Sequence, residues 1–351
     1  MTRLERGLLA AVVVITVAAG LTRYRHGVSH TAAFVVAALA LAGLAWLVSF
    51  STEQVGGRFG APVTGLLQAT VGNLPEFFVV LFALRAGELV VAQTAIVGSI
   101  LVNALLVLGL VIVAGAARAP GGLMRFNPRL PNDTTTLLLS STLIIVVIAL
   151  TNLSHDAASR HAKPVSIVGA AVLLALYSAW LFRYLRSGEA GQQLAEPPRL
   201  RTGLGVVLLV AGGAASAFVS DWFIHALEPT VRSLHISRAF AGLVIVAIAG
   251  NAVEHATGVV LAAKGQYELA IAVVKSSVAQ LSAFLFPLMV LVSLATATTL
   301  TFSLAPVYAG AMFGAAVLVW QVTGDGEAPV WEGLALISAY IVLAVVAGFE
   351  G

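Results

Sequence analysis

Gly72-Asn73-Leu74-Pro75-Glu76 recurs as Gly250-Asn251-Ala252-Val253-Glu254, and these two stretches decide how the chain is built. Each sets a carboxylate inside a run that is otherwise apolar. A second polar stretch follows each Glu. It reads Gly98-Ser99-Ile100-Leu101-Val102-Asn103 in the first case and Ser276-Ser277-Val278-Ala279-Gln280 in the second. The offset that aligns the two motifs also pairs Gly98 with Ser276 and Ser99 with Ser277. The amides Asn103 and Gln280 then miss each other by one residue. Such a recurrence is an internal repeat.

The surroundings of the motifs give the class. The chain is 59% apolar and only 10% charged, against about 25% charged in ordinary soluble domains. Its mean hydropathy is +0.98. The apolar runs are long enough to cross a bilayer as helices, which takes roughly 20 residues. No alternation of the kind a barrel needs is present. The expectation is an all-α polytopic membrane protein with about 11 transmembrane helices, near 7–21, 30–50, 62–84, 89–116, 134–152, 164–183, 203–222, 238–263, 267–295, 299–320 and 331–349. The run behind Arg3 and Arg6 is read as a retained first helix rather than a signal peptide. Five spans separate the third helix from the eighth. An odd number per repeat gives the two copies opposite orientation, as in secondary transporters with a site near the midplane. The expected organisation is an N-terminal helix and loop (1–29), a first five-helix repeat (30–186), a linker (187–202) and a second, inverted repeat (203–351).

Loop charge sets the orientation. Eleven Lys and Arg residues fall on the N-terminal side and seven on the other. The N-terminus and the linker are therefore expected in the cytoplasm of a multi-pass cell-membrane protein. With no cysteine, disulfides, thiolate metal sites and thiol redox chemistry are excluded. A net charge of +3 without interleaved aromatic and basic residues gives no support for nucleic acid. Membrane lipid is the expected surrounding, and no cofactor is expected.

Glu76 and Glu254 carry the chemistry. An ionisable group inside a membrane span is expensive and usually functional. Two carboxylates in equivalent repeat positions suit a hard cation such as calcium, and can take protons when the cation leaves. Asn73 and Asn251 lie three residues before each Glu, on the same helix face, where each can ligate a cation or orient the Glu. Ser99 and Asn103, and likewise Ser276 and Gln280, form polar stripes at i, i+4 spacing. Ser277 joins them as the partner of Ser99. These stripes serve either ligation or hydrogen bonding between helices. Gly72 and Gly250 permit close approach or local unwinding, and Pro75 reads as a kink. His255 is either a proton relay or a structural histidine. Lys275 stands where the first repeat has Val97. A charged amine near the carboxylates would cut the local charge and disfavour a divalent ion. An uncharged amine, or one that snorkels away, would not.

These motifs resemble the calcium/cation antiporter superfamily, and its cation/proton exchanger (CAX, calcium/proton antiporter) branch in particular. That family carries a GNxxE sequence in each of two repeats. The Glu254-His255 pair resembles the proton-coupled branch more than the sodium/calcium exchangers. The resemblance implies that Glu76 and Glu254 are ion and proton ligands, and that Asn73, Asn251, Ser99, Ser277 and Gln280 line the same site. Two departures stand out. Ser276 replaces a usual Gly, and Lys275 replaces a usual apolar or small residue. The function expected is calcium/proton antiport, with sodium or potassium/proton antiport as the alternative. An intramembrane enzyme is disfavoured, because an enzyme has no need of the inverted repeat.

Overall fold

A computed structural model describes residues 1–25, 27–58, 67, 70–154, 156–186 and 199–350, without the side chains of Val253 and Glu254. Residues 187–198 of the linker, and 62–66, 68 and 69 of the expected third span, lie outside the described residues. The helices are α1 (Arg3–Tyr24), α2 (His30–Gly56), α3 (Leu74–Arg85), α4 (Leu89–Ala116), α5 (Arg129–Leu153), α6 (Ala162–Arg186), α7 (Thr202–Leu234), α8 (238–263), α9 (Tyr267–Ala295), α10 (Pro306–Thr323) and α11 (Val330–Phe349). Nine of these described helices are long and apolar enough to cross a membrane, and α8 makes a tenth when its two parts are taken together. The only described strands are β1 (Leu123–Arg125) and β2 (Glu327–Pro329), which pair antiparallel.

Outside the third span, of which the described helix covers only Leu74–Arg85, the expected spans and the helices coincide, with three local corrections. α7 runs to Leu234 instead of stopping at 222. The tenth span starts at Pro306, not at 299, because Ala305 is extended and a residue before proline avoids helical backbone. Pro75 does not kink a helix. It sits in the first turn of α3, where its missing N–H has no partner to lose. The chain is helical at Thr70–Val71, turns at Gly72–Asn73 and is helical again from Leu74.

Burial separates centre from rim. In its most apolar window α4 is 83% buried, α9 61% and α1 11%. Val13, Val14 and Val17 of α1, Val168 and Val172 of α6, and Ile341, Val342 and Val345 of α11 are exposed. Rim helices with apolar outer faces are what a bilayer requires. Contacts between the two halves come in exchanged pairs. α2 packs on α8 and α7 on α3, while α4 packs on α11 and α9 on α6. α2 and α7 also run along each other.

Loop contacts agree with the alternation of helix ends. Arg199 pairs with Glu5 at 2.7 Å. The backbone N–H groups of Arg199 and Leu200 donate to Gln54 Oε1 at 2.7 and 3.1 Å. The Asn127 N–H donates to Glu268 at 2.7 Å, and Arg125 pairs with Glu327 at 3.1 Å beside the β1–β2 ladder. Counting helices from the N-terminus places all of these on one face. On the other face, Arg238 meets Glu88 at 3.5 Å and Glu228 at 3.1 Å.

Two glycines let α4 and α8 cross closely. A methyl group on Gly98 would sit 2.5 Å from Leu243 Cα. One on Gly242 would sit 3.1 Å from the Ala95 nitrogen. Small residues at a crossing allow backbones to approach to this degree. Just past it, α4 adopts π-helical geometry at Val102–Val107 and α9 does so at Leu281–Leu285. These segments are repeat-related to within one residue, and π segments often mark functional sites.

Candidate cation site

Four helices, α3 and α4 from one half and α8 and α9 from the other, bring the polar residues together. Asn73, which caps the broken end of α3, donates to Gln280 Oε1 of α9 at 3.1 Å. Asn251 of α8 donates to Ser99 Oγ of α4 at 3.0 Å and to its own Ala247 carbonyl at 3.0 Å. It accepts from Asn103 Nδ2 of α4 at 3.2 Å. Each motif amide thus bonds the polar stripe of the opposite half.

Glu76 lies in the first turn of α3 and is 8% exposed. The positive end of a helix stabilises a carboxylate there. Its carboxyl rests on the second motif: a methyl on Gly250 would meet Glu76 Oε1 at 3.0 Å, Cγ at 3.3 Å and Cδ at 3.4 Å. A narrow cavity opens beside it, lined by Glu76, Ser99, Gly250 and Pro75, with Leu281 and Leu285 on its wall. The glycine in the second motif is what lets the first motif's carboxylate reach this cavity.

Hydrogen bonding leaves oxygens for a guest ion. Both donor bonds of Asn103 go to the Ser99 carbonyl, at 2.9 Å, and to Asn251. Its Oδ1 is buried with no described hydrogen-bond partner, as is Ser277 Oγ. A carbonyl whose N–H groups are committed elsewhere presents only acceptor character, which is what a hard cation takes. Ser276 lies beside Ser277 and is half-buried. His255 Nε2 is buried without a described partner. The Glu254 side chain falls outside the described residues.

Lys275 is brought elsewhere. It is 1% exposed, and its amine donates to Thr135 Oγ1 of α5. Nothing in the sequence singles out Thr135, one hydroxyl in the Thr134-Thr135-Thr136 run. Gly242 also escaped notice, since one glycine in an apolar span carries no signal by itself.

A buried carboxylate where two halves of a membrane bundle exchange hydrogen bonds is the equipment of a cation transporter, not of an enzyme. Comparison with known proteins leads to the same class. Residues 29–185 and 204–349 match the family described as sodium/calcium exchanger protein, and the chain belongs to that family. It is 28% identical to the Ca2+/H+ antiporter ChaA of Bacillus subtilis, across 98% of this chain and 99% of that one. It is 30% identical to the vacuolar calcium ion transporter of Schizosaccharomyces pombe, across 89% and 78%. The solved structure of native YfkE superposes with a TM-score of 0.80 at 26% identity, covering 97% of this chain and 98% of that one.

Proposed function

We propose that this protein exchanges calcium for protons across the cell membrane, through one site at which Glu76 and Glu254 bind either the cation or protons. Asn73, Asn251, Ser99, Asn103, Ser276, Ser277 and Gln280 surround that site, and His255 stands next to one carboxylate. The two halves act as inverted five-helix repeats, with the N-terminus and the linker in the cytoplasm. The observation that carries this reading is the reciprocal pairing of motif amides, Asn73 with Gln280 and Asn251 with Ser99, beside a Glu76 that rests on Gly250. A relative named Ca2+/H+ antiporter that matches 98% of the chain and one named vacuolar calcium ion transporter that matches 89% of it support it.

The chemistry follows from charge. Calcium takes six to eight oxygens, carboxylates among them. Emptied of calcium, two buried carboxylates are costly in a low-dielectric interior, and protons relieve that cost. Lys275 is the observation that favours the other reading, sodium or potassium for protons, because its buried amine on α9, when charged, lowers the net negative charge. The test is cation flux in proteoliposomes under an imposed pH gradient, with calcium, sodium and potassium compared. Calcium uptake coupled to proton release is expected, and Glu76→Gln and Glu254→Gln are expected to abolish it while remaining folded. Proton-coupled calcium flux at the wild-type rate in either variant would sink the shared-site mechanism.

A further inference from the structure

Lys275 stands one residue before Ser276 on a helix that lines the proposed site, yet its amine is bound to α5. The partner is fixed in its role. Thr135 spends its own hydroxyl proton on the Pro131 carbonyl, 2.7 Å away. Only lone pairs remain for the amine. Thr135 is itself buried, and it lines a mixed cleft between α5 and α10 with Asn132, Gln321 and Asp325 but also Leu139 and Trp320. The amine is therefore held on the side of α9 that faces α5.

We propose that Thr135 is a specificity-determining positioning residue, which keeps the Lys275 charge off the ion path so that the site still accepts a divalent cation. This rests on the reading of Glu76 and Glu254 as the cation site. An ammonium has three donors and no acceptor, and a buried one that loses a partner seeks another oxygen. On α9 the next polar groups are Ser276 and Ser277, and the Ser277 hydroxyl has no described partner. A cation that moves there enters the ligand set. Its repulsion of a divalent ion is twice that of a monovalent one. At the effective dielectric of a protein, one unit charge about 10 Å away separates the two by about tenfold.

The experiment measures the ratio of calcium to sodium flux, each coupled to protons, in matched proteoliposomes. Thr135→Val is expected to lower the ratio about tenfold or more, and Thr135→Ser to keep it. Lys275→Met is expected to hold or raise the ratio, and Lys275→Met with Thr135→Val to match Lys275→Met alone. That rescue separates a freed charge from a packing defect, which the second substitution would not repair. An unchanged ratio in Thr135→Val, or a double variant as low as Thr135→Val, overturns the proposal. Should Thr135→Val not fold, Lys275→Met decides: a ratio below the wild type overturns it, and one at or above it sustains it. Failure of the antiport reading looks different, since the wild type would then move no cation against protons.

Discussion

Replacing Gly250 with alanine tests whether the second motif cradles the carboxylate of the first. The new methyl would lie 3.0 Å from Glu76 Oε1, and ordinary van der Waals contact begins near 3.4 Å. The carboxyl must therefore retreat by about 0.4 Å, the difference between those two distances. Calcium–oxygen distances span only about 2.3–2.6 Å, so a shift of that size takes one carboxylate oxygen out of range. The obstacle is the end of a side chain, not backbone, so the helices need not move. Overpacking of one methyl costs about 1–3 kcal/mol. If most of it falls on ion binding, apparent calcium affinity drops about 5- to 150-fold. The expected result in proteoliposomes is a raised KM for calcium with a normal melting temperature. Gly98→Ala is the control, because its methyl meets Leu243 backbone at 2.5 Å and is expected to prevent folding. A Gly250→Ala protein with wild-type KM, or one that unfolds as Gly98→Ala does, would refute the argument.

Two further outcomes follow from the same contacts. Asn251→Leu removes the bonds to Ser99 Oγ and Asn103 Nδ2. Each buried group left without a partner costs about 1–3 kcal/mol, so thermal unfolding in detergent should shift down well beyond the change produced by a surface substitution. Orientation is open to thiol labelling, since the chain has no cysteine of its own: Arg58→Cys should react with a membrane-impermeant maleimide only from the cytoplasmic side and Arg85→Cys only from the other, and labelling of both from one side would overturn the assigned topology.

How much of this was legible in the sequence depends on what kind of contact each residue makes. The helices were readable because apolar run length answers directly to bilayer thickness, and the errors fall where that rule is silent. α7 runs on to Leu234 through His225, Glu228 and Arg232, polar residues that apolar run length does not read as span, and α10 waits for Pro306. The buried polar residues Asn73, Glu76, Ser99 and Asn251 were readable because they are polar where polarity is costly. Their partners were not. Two motifs on separate helices carry no statement of which amide meets which, and the exchange of Asn73 with Gln280 emerges only from the packing of α3 against α9. Thr135 was hidden for the opposite reason: a threonine in a run of threonines, with its hydroxyl bonded back to Pro131, looks like ordinary helix chemistry until a lysine from another helix ends on it.

Charge accounting explains why exchange, and not leak, is the expected behaviour of such a site. Glu76 is buried beside a narrow cavity with apolar walls, and in the proposed site Glu254 is its counterpart. With both carboxylates ionised and no ion bound, two like charges share a region of low dielectric, the costliest arrangement open to the pair. One calcium cancels both charges, and so does one proton on each carboxylate. A bundle that must pass through a closed form to change sides does so readily only in the neutral states. The doubly charged form is held back on whichever side admits water to it. In the proposed cycle calcium then crosses in one direction and protons in the other, and the tie between them needs no moving part beyond the two halves. A third charge near the pair would upset this balance, since a nearby ammonium leaves the calcium-bound state positive and the two-proton state positive as well. On the proposed mechanism, the transport cycle depends on where the Lys275 amine is held as much as on the two glutamates.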